Sequence, residues 1–129
     1  NDFDDPFAYY INPASPGHIS WSKPIVVLTN RSTFSAANNF VSIMKLLPGV
    51  TVIGSTTGGG SGMPYSSELP NGWGIRFSAC SILDAEGKTT EFGVEPTEGF
   101  SVDITAEDIA AGRDPILDRA IAHIQSLAE

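Results

Sequence analysis

Cys80 is the only cysteine in the chain, so no internal disulfide can staple the fold. Basic side chains are also scarce: seven Lys and Arg face fifteen Asp and Glu, giving a formal net charge of −8. A surface of that sign repels nucleic acid and anionic lipid, which removes both from the natural partners. Histidine occurs twice, at His18 and His123. The carboxylates Asp103, Asp108, Asp114 and Asp118 are scattered and lack histidine or cysteine neighbours, so they read as solvated surface and helix-start charges rather than metal ligands. No cofactor or metal is implied. No apolar run approaches the roughly 20 residues of a membrane span, and no signal-peptide pattern is visible. What is present is 129 residues, 41% of them hydrophobic, which suits one ordinary domain or a large piece of one. At that size, folding would bury roughly two-thirds of the unfolded surface.

Glycine, by contrast, is abundant and unevenly placed. Pro24-Ile25-Val26-Val27-Leu28-Thr29 is short, β-branched and apolar, as expected of a strand covered on both faces. A turn leads to Ser35, and Ala36, Phe40, Ile43, Met44 and Leu47 then recur at helical spacing until Pro48-Gly49 ends the run. Val50-Thr51-Val52-Ile53 reads as a second buried strand opening into Gly54-Ser55-Thr56-Thr57-Gly58-Gly59-Gly60-Ser61-Gly62. Leu69-Pro70-Asn71-Gly72 makes a turn before an alternating strand that carries Cys80 as a small core residue. Near the end, Thr105 with Asp108 forms a capping pair for one helical turn. Asp114-Pro115 then opens a last helix whose apolar stripe is Ile116, Leu117, Ala120, Ile121, Ile124 and Leu127. The first 23 residues have no sustained period and are expected to pack Phe7, Tyr9, Tyr10 and Trp21 on the domain as an extended lead-in. Strands are expected near 24–30, 50–54, 74–82 and 100–104, with helices over 35–47 and 115–127.

Serine at a strand-to-helix junction places a hydroxyl beside free helix-terminal N–H groups, which can stabilise an anion forming on a carbonyl. It is equally the commonest kind of helix cap. The ordered series decides for the former. The Ser-Ala-Ala elbow, the Gly-x-x-Thr-Gly-Gly-like loop, the Leu-Pro-x-Gly hairpin and Glu91-Phe92-Gly93-Val94-Glu95-Pro96 together resemble the S41 serine peptidases. That family comprises C-terminal processing (tail-specific) proteases, tricorn core protease and the interphotoreceptor retinoid-binding modules. The match runs from about Pro24 to Thr97, with a further likeness at Gly112–Leu117.

The resemblance implies an α/β fold of the ClpP/crotonase kind, a mixed sheet with packed helices. It implies that residues 1–129 are the C-terminal portion of a catalytic domain: an irregular lead-in over 1–23, a core over 24–104 and terminal helices over 105–129. Its activity would be hydrolysis of peptide bonds in a peptide or protein substrate through an acyl-enzyme. Ser35 is the nucleophile, and the N–H of Ala36, just past it, is the oxyanion donor. Gly58, Gly59 and Gly60 let backbone approach the substrate closely. In the processing branch a loop lysine is the base, but its position falls on Gly60, so that dyad is absent. Lys45 on the helix and Lys88 in a turn are read as solvated. The tricorn-like branch uses an upstream histidine and a downstream glutamate, and Glu91 lies 56 residues after Ser35 in the matching place. Its role would be to orient the imidazole. His18 is a loop residue and His123 an exposed helical one, so the base is expected from the upstream remainder of the protease, and this chain alone is expected to be inactive. The family also implies a periplasmic or extracellular setting.

Three other readings bear on the same residues. The glycine loop could cradle a phosphate, but it lacks a Gly-Lys-[Ser/Thr] ending and an obvious following helix. The fold could serve as a non-catalytic module binding an apolar ligand or a peptide. It could also host crotonase-type chemistry on acyl-CoA, although no basic cluster for a nucleotide is visible.

Overall fold

The computed structural model describes Ala8, Tyr10, residues 15–17 and residues 21–128. Phe7, Tyr9 and His18 lie outside the described residues. At the centre is a β-α-β unit made of β1 (Ile25–Thr29), α1 (Ala36–Met44) and β2 (Val50–Gly54). The two strands pair in parallel, from Ile25 opposite Val50 to Thr29 opposite Gly54. The alternation of side chains sends Val27 and Val52 to one face, where they meet Val41 of α1 and Val94. Val26 and Ile53 go to the other face, against Ile116 and Ala120 of α3 (Pro115–Ser126), with Phe100 and Val102 alongside. The apolar β-branched run is therefore covered on both sides, as its composition requires.

Outside that unit lie a hairpin, β3 (Pro64–Glu68) with β4 (Gly74–Ser78), and the short helix α2 (Ala106–Ala110). Tyr65 stands opposite Phe77 and Ser67 opposite Ile75, so the aromatic and aliphatic residues share one side of the hairpin. Both strands are exposed throughout. This α/β arrangement of parallel and antiparallel pairs agrees with the expected fold class.

Several expectations need correcting. β3 is absent from the expected strands because Pro-Tyr-Ser-Ser-Glu, uncovered on either face, has no burial pattern to read. β4 ends at Ser78 rather than 82, and Cys80 beyond it is exposed, not a core residue. The expected strand at 100–104 reduces to one bridge between Gly54 and Ser101. Helix α1 turns Asn38 and Val41 inward, while Phe40 and Ile43 of the expected stripe remain exposed. Leu117, Ile121 and Ile124 of α3, and Leu127 just past its end, are likewise exposed, and only Ile116 and Ala120 of the expected stripe are buried. Tyr10 and Trp21 are exposed rather than packed on the domain. The buried apolar side chains among the described residues are Val41, Val52, Ile53, Val94, Ile116 and Ala120.

The helix starts match their sequence signals. Thr105 caps α2 with its hydroxyl accepting from Asp108 N–H at 3.1 Å, and the Asp108 carboxylate accepts from Thr105 N–H at 3.1 Å. Asp114 caps α3 by accepting from Leu117 N–H at 3.0 Å, with Pro115 as the first helical residue. Hydrogen bonds from the Thr105 side chain, then from its backbone, then from Arg113 hold the Asp108 carboxyl below the usual carboxylate range. A lowered folded-state value means that the cap's contribution is complete above the ordinary aspartate pKa and is lost as pH falls through the lower, folded one. NMR titration should find Asp108 below the usual aspartate range, and Thr105→Ala should move it back up toward that range.

Candidate active site

Between β1 and α1 the chain makes a tight turn, with Thr33 N–H donating to the Asn30 carbonyl at 2.9 Å and Ser32 N–H to the Asn30 side chain at 2.8 Å. Phe34 then bridges to Gly59 of the glycine loop. Ser35 follows, immediately before α1, with φ 58° and ψ −120°. It is the one non-glycine residue with positive φ among the described residues. Such a conformation costs on the order of 1–3 kcal/mol and persists only where its surroundings enforce it. Although Ser35 occupies the cap position, its side chain makes no capping hydrogen bond, and the residue is exposed. The ordinary explanation for serine here, a helix cap, therefore fails. Among the described residues the Ala36 N–H has no acceptor, so a free backbone donor adjoins the free hydroxyl.

The glycine loop holds this corner in place. Ser35 N–H donates to the Gly59 carbonyl at 2.8 Å, and the next residue, Gly60, donates its N–H to the Glu91 carbonyl at 2.9 Å. Two successive loop residues thus tie Ser35 to Glu91. At Gly59, φ is +77°, and a Cβ would collide with the Glu91 carbonyl oxygen. At Gly60, φ is +69°, and a Cβ would strike the Phe34 ring. The close approach that these glycines permit is first of all between parts of the chain itself. Four of the loop's N–H groups are also engaged: Thr57 donates to Val94, Gly58 to Thr33, Gly60 to Glu91, and Gly62 to the Glu91 carboxylate. A phosphate cradle needs those donors free and does not tolerate a carboxylate among them, so that reading falls.

Glu91 is half-buried, and its side chain accepts from Gly62 N–H at 2.9 Å and from the Ser78 hydroxyl at 2.8 Å. A carboxylate has about four lone-pair sites, so two remain for another donor. It borders an open cavity of about 240 Å³ lined by Ser78, Ala79, Cys80 and Ser81.

Other residues are placed away from this corner. Lys45 sits at the far end of α1, about 15 Å along the helix from Ser35. Its ammonium is not free, because it donates to the Glu95 carbonyl at 2.8 Å. Lys88 is exposed in the 84–88 turn. His123 is half-buried rather than exposed: its Nε2 lies 3.2 Å from the Thr51 hydroxyl and its ring packs edge-on against Phe100. Thr51 pairs with Val26 near the start of β1, whereas Ser35 lies past the strand's end, so His123 serves the α3 contact. Among the described residues no group of three or more His, Cys, Asp or Glu could hold a metal ion, and no helix is long and apolar enough to cross a membrane.

The composition gave no warning of the polar knot behind Ser35. Asn38, one turn further along α1, is fully buried. It bonds the Ser61 hydroxyl, the Thr57 hydroxyl and the Thr90 carbonyl. A trace was present, since Asn38 and Asn39 are poor helix formers inside an otherwise apolar helix.

Compared with known proteins, residues 5–99 match the sequence profile described as Peptidase family S41. The chain belongs to peptidase family S41. A protein of Chlamydia muridarum is 34% identical over a 97-residue alignment that covers 70% of this chain and 16% of that protein. A solved structure from Parabacteroides merdae, of a protein assigned as a peptidase, is 55% identical with a TM-score of 0.75, covering 84% of this chain and 34% of that one. The tricorn protease shares the fold at 24% identity and a TM-score of 0.68, over 82% of this chain and 11% of its own. This S41 chain therefore spans about a sixth of the length of its Chlamydia relative and about a third of the Parabacteroides protein. The comparisons support a peptidase-type domain.

The strain at Ser35 has a measurable consequence. Glycine adopts φ 58° without penalty, so Ser35→Gly should stabilise the fold by about 1 kcal/mol even after its added unfolded-state entropy. Ser35→Ala should not stabilise it. Urea midpoints of the two variants at equal m-value check this.

Proposed function

We propose that this S41 chain is the C-terminal portion of the catalytic domain of a serine endopeptidase, with the lead-in at 1–23, the core at 24–104 and the terminal helices at 105–129. The observation that carries the reading is Ser35 itself: an exposed, uncapped hydroxyl on a strained corner directly before a helix. A strained strand-to-helix turn of this kind presents a nucleophile clear of its own backbone. Exposed Phe34, Phe40, Ile43, Trp73, Ile75 and Phe77 support the idea that further chain covers this unit in the whole protein.

In the proposed reaction the Ser35 hydroxyl attacks the scissile carbonyl carbon of a peptide as its proton passes to a histidine from an upstream segment. The carbonyl π pair moves onto oxygen, and the Ala36 N–H donates to that oxyanion, a contact worth about 3 kcal/mol in a comparable site. The tetrahedral intermediate collapses, the C–N bond breaks, and the leaving amine takes the proton back from the imidazolium. Water then repeats the sequence on the acyl ester and releases Ser35. The two unused lone-pair sites of the Glu91 carboxylate suit an imidazole N–H, so Glu91 orients the base and stabilises its charged form. Gly58, Gly59 and Gly60 form the wall along which an extended substrate lies. A periplasmic or extracellular location goes with this reading.

Peptide hydrolysis by the full-length protein tests it. Ser35→Ala should reduce kcat/KM by at least 10³-fold, and Glu91→Gln by 10²- to 10⁴-fold with KM little changed. Undiminished hydrolysis by folded Ser35→Ala would reject the assignment.

A further inference from the structure

Asn38 uses both N–H donors and one oxygen lone pair of its amide, each on a different part of the surroundings of Ser35. Its Nδ2 donates to the Ser61 hydroxyl and, at 3.0 Å, to the Thr90 carbonyl. Its Oδ1 accepts from the Thr57 hydroxyl, which in turn accepts from Val94 N–H at 2.7 Å. Ser61 also donates to the Thr90 carbonyl at 3.3 Å. Asn38, Thr57, Ser61 and Thr90 are all buried. These partners are not arbitrary positions. Thr90 directly precedes Glu91, Ser61 lies between the two residues whose N–H groups bond Glu91, and Thr57 opens the loop whose Gly59 holds Ser35. Asn38 itself lies in the first turn of α1, three residues past Ser35, which directly precedes that helix.

We propose that Asn38 is a positioning residue that locks the glycine loop and the Glu91 segment in register with Ser35, and so sets the distance from acid to nucleophile. The proposal rests on the serine peptidase reading. Only an amide does this work. It offers two donors and an acceptor in one plane, where an isosteric carboxylate would face the Thr90 carbonyl with lone pairs. A buried hub bonded to three separate segments transmits small displacements rather than absorbing them, and misplacement of about 1 Å at a reacting centre costs on the order of 10²-fold in rate.

The test uses the full-length protein and the variants Asn38→Ala, Asn38→Asp and Thr57→Val, with Thr57→Ser as the conservative rescue and Ile53→Val as a destabilised control remote from the knot. We expect kcat per folded molecule to fall at least 10²-fold in the first three, with KM within about threefold of the wild-type value. Amide exchange at Gly60 and Gly62 should accelerate at least tenfold while that of the β2 amides does not. Thr57→Ser should retain both properties, and Ile53→Val should lose stability without losing kcat. If Asn38→Ala does not fold, Thr57→Val carries the same comparison. Wild-type kcat in folded Asn38 and Thr57 variants, or loop exchange no faster than in the control, would overturn the proposal while leaving the serine reading intact. A wild-type protein whose hydrolysis is indifferent to Ser35→Ala would overturn that reading, and this proposal with it.

Discussion

One hydrogen bond organises the rest: the Ser35 N–H on the Gly59 carbonyl. A serine does not stay at φ 58° unassisted. Here the strained residue is trapped between a helix that starts at Ala36 and a loop that can approach only because residues 58–60 have no side chains. Without that approach the backbone would relax toward an ordinary helix start. The hydroxyl would then turn to cap its own helix.

The β-α-β unit provides the fixed frame and the loops provide the chemistry. Val41, Val52 and Val94 seat α1 on one face of the sheet, while Ile53, Ile116 and Ala120 seat α3 on the other. Both packings are apolar, small and rigid. The polar partners all arrive on loops: Gly59 and Gly60 from the segment after β2, and Glu91 from the turn after the hairpin. This is the usual division between scaffold and site in α/β folds, in which the functional groups gather beyond the carboxyl ends of parallel strands. Membership of peptidase family S41 gives the arrangement its chemical meaning.

Residues that face a complete environment were legible in the sequence. β1 and β2 could be read because Val26 and Val27, like Val52 and Ile53, pack on opposite faces, although Leu28 stays exposed. Thr105 and Asp114 could be read because a cap is a local bargain between a side chain and the next few N–H groups. The stripe on α1 misled because Phe40 and Ile43 are as apolar as core residues yet remain uncovered, while the position turned inward holds Asn38. A buried asparagine breaks hydrophobic periodicity by design of its partners, which lie 19, 23 and 52 residues away, so no local pattern announces it. For the same reason Cys80 passed for core: apolar alternation continues past Ser78, but the strand does not. At the candidate site, ordered motifs single out Ser35, Ala36 and Glu91 as candidates, while the bonds around them join residues too far apart in the chain to leave a local pattern.

Covalent capture is the most direct examination of the central claim. The full-length protein would be treated with a fluorophosphonate and its structure solved with the adduct in place. We expect phosphorus bonded to the Ser35 Oγ, a phosphoryl oxygen within hydrogen-bond distance of the Ala36 N–H, and φ at Ser35 still positive. A modified serine elsewhere, or an unmodified Ser35 in an enzyme that the reagent has inactivated, would contradict it.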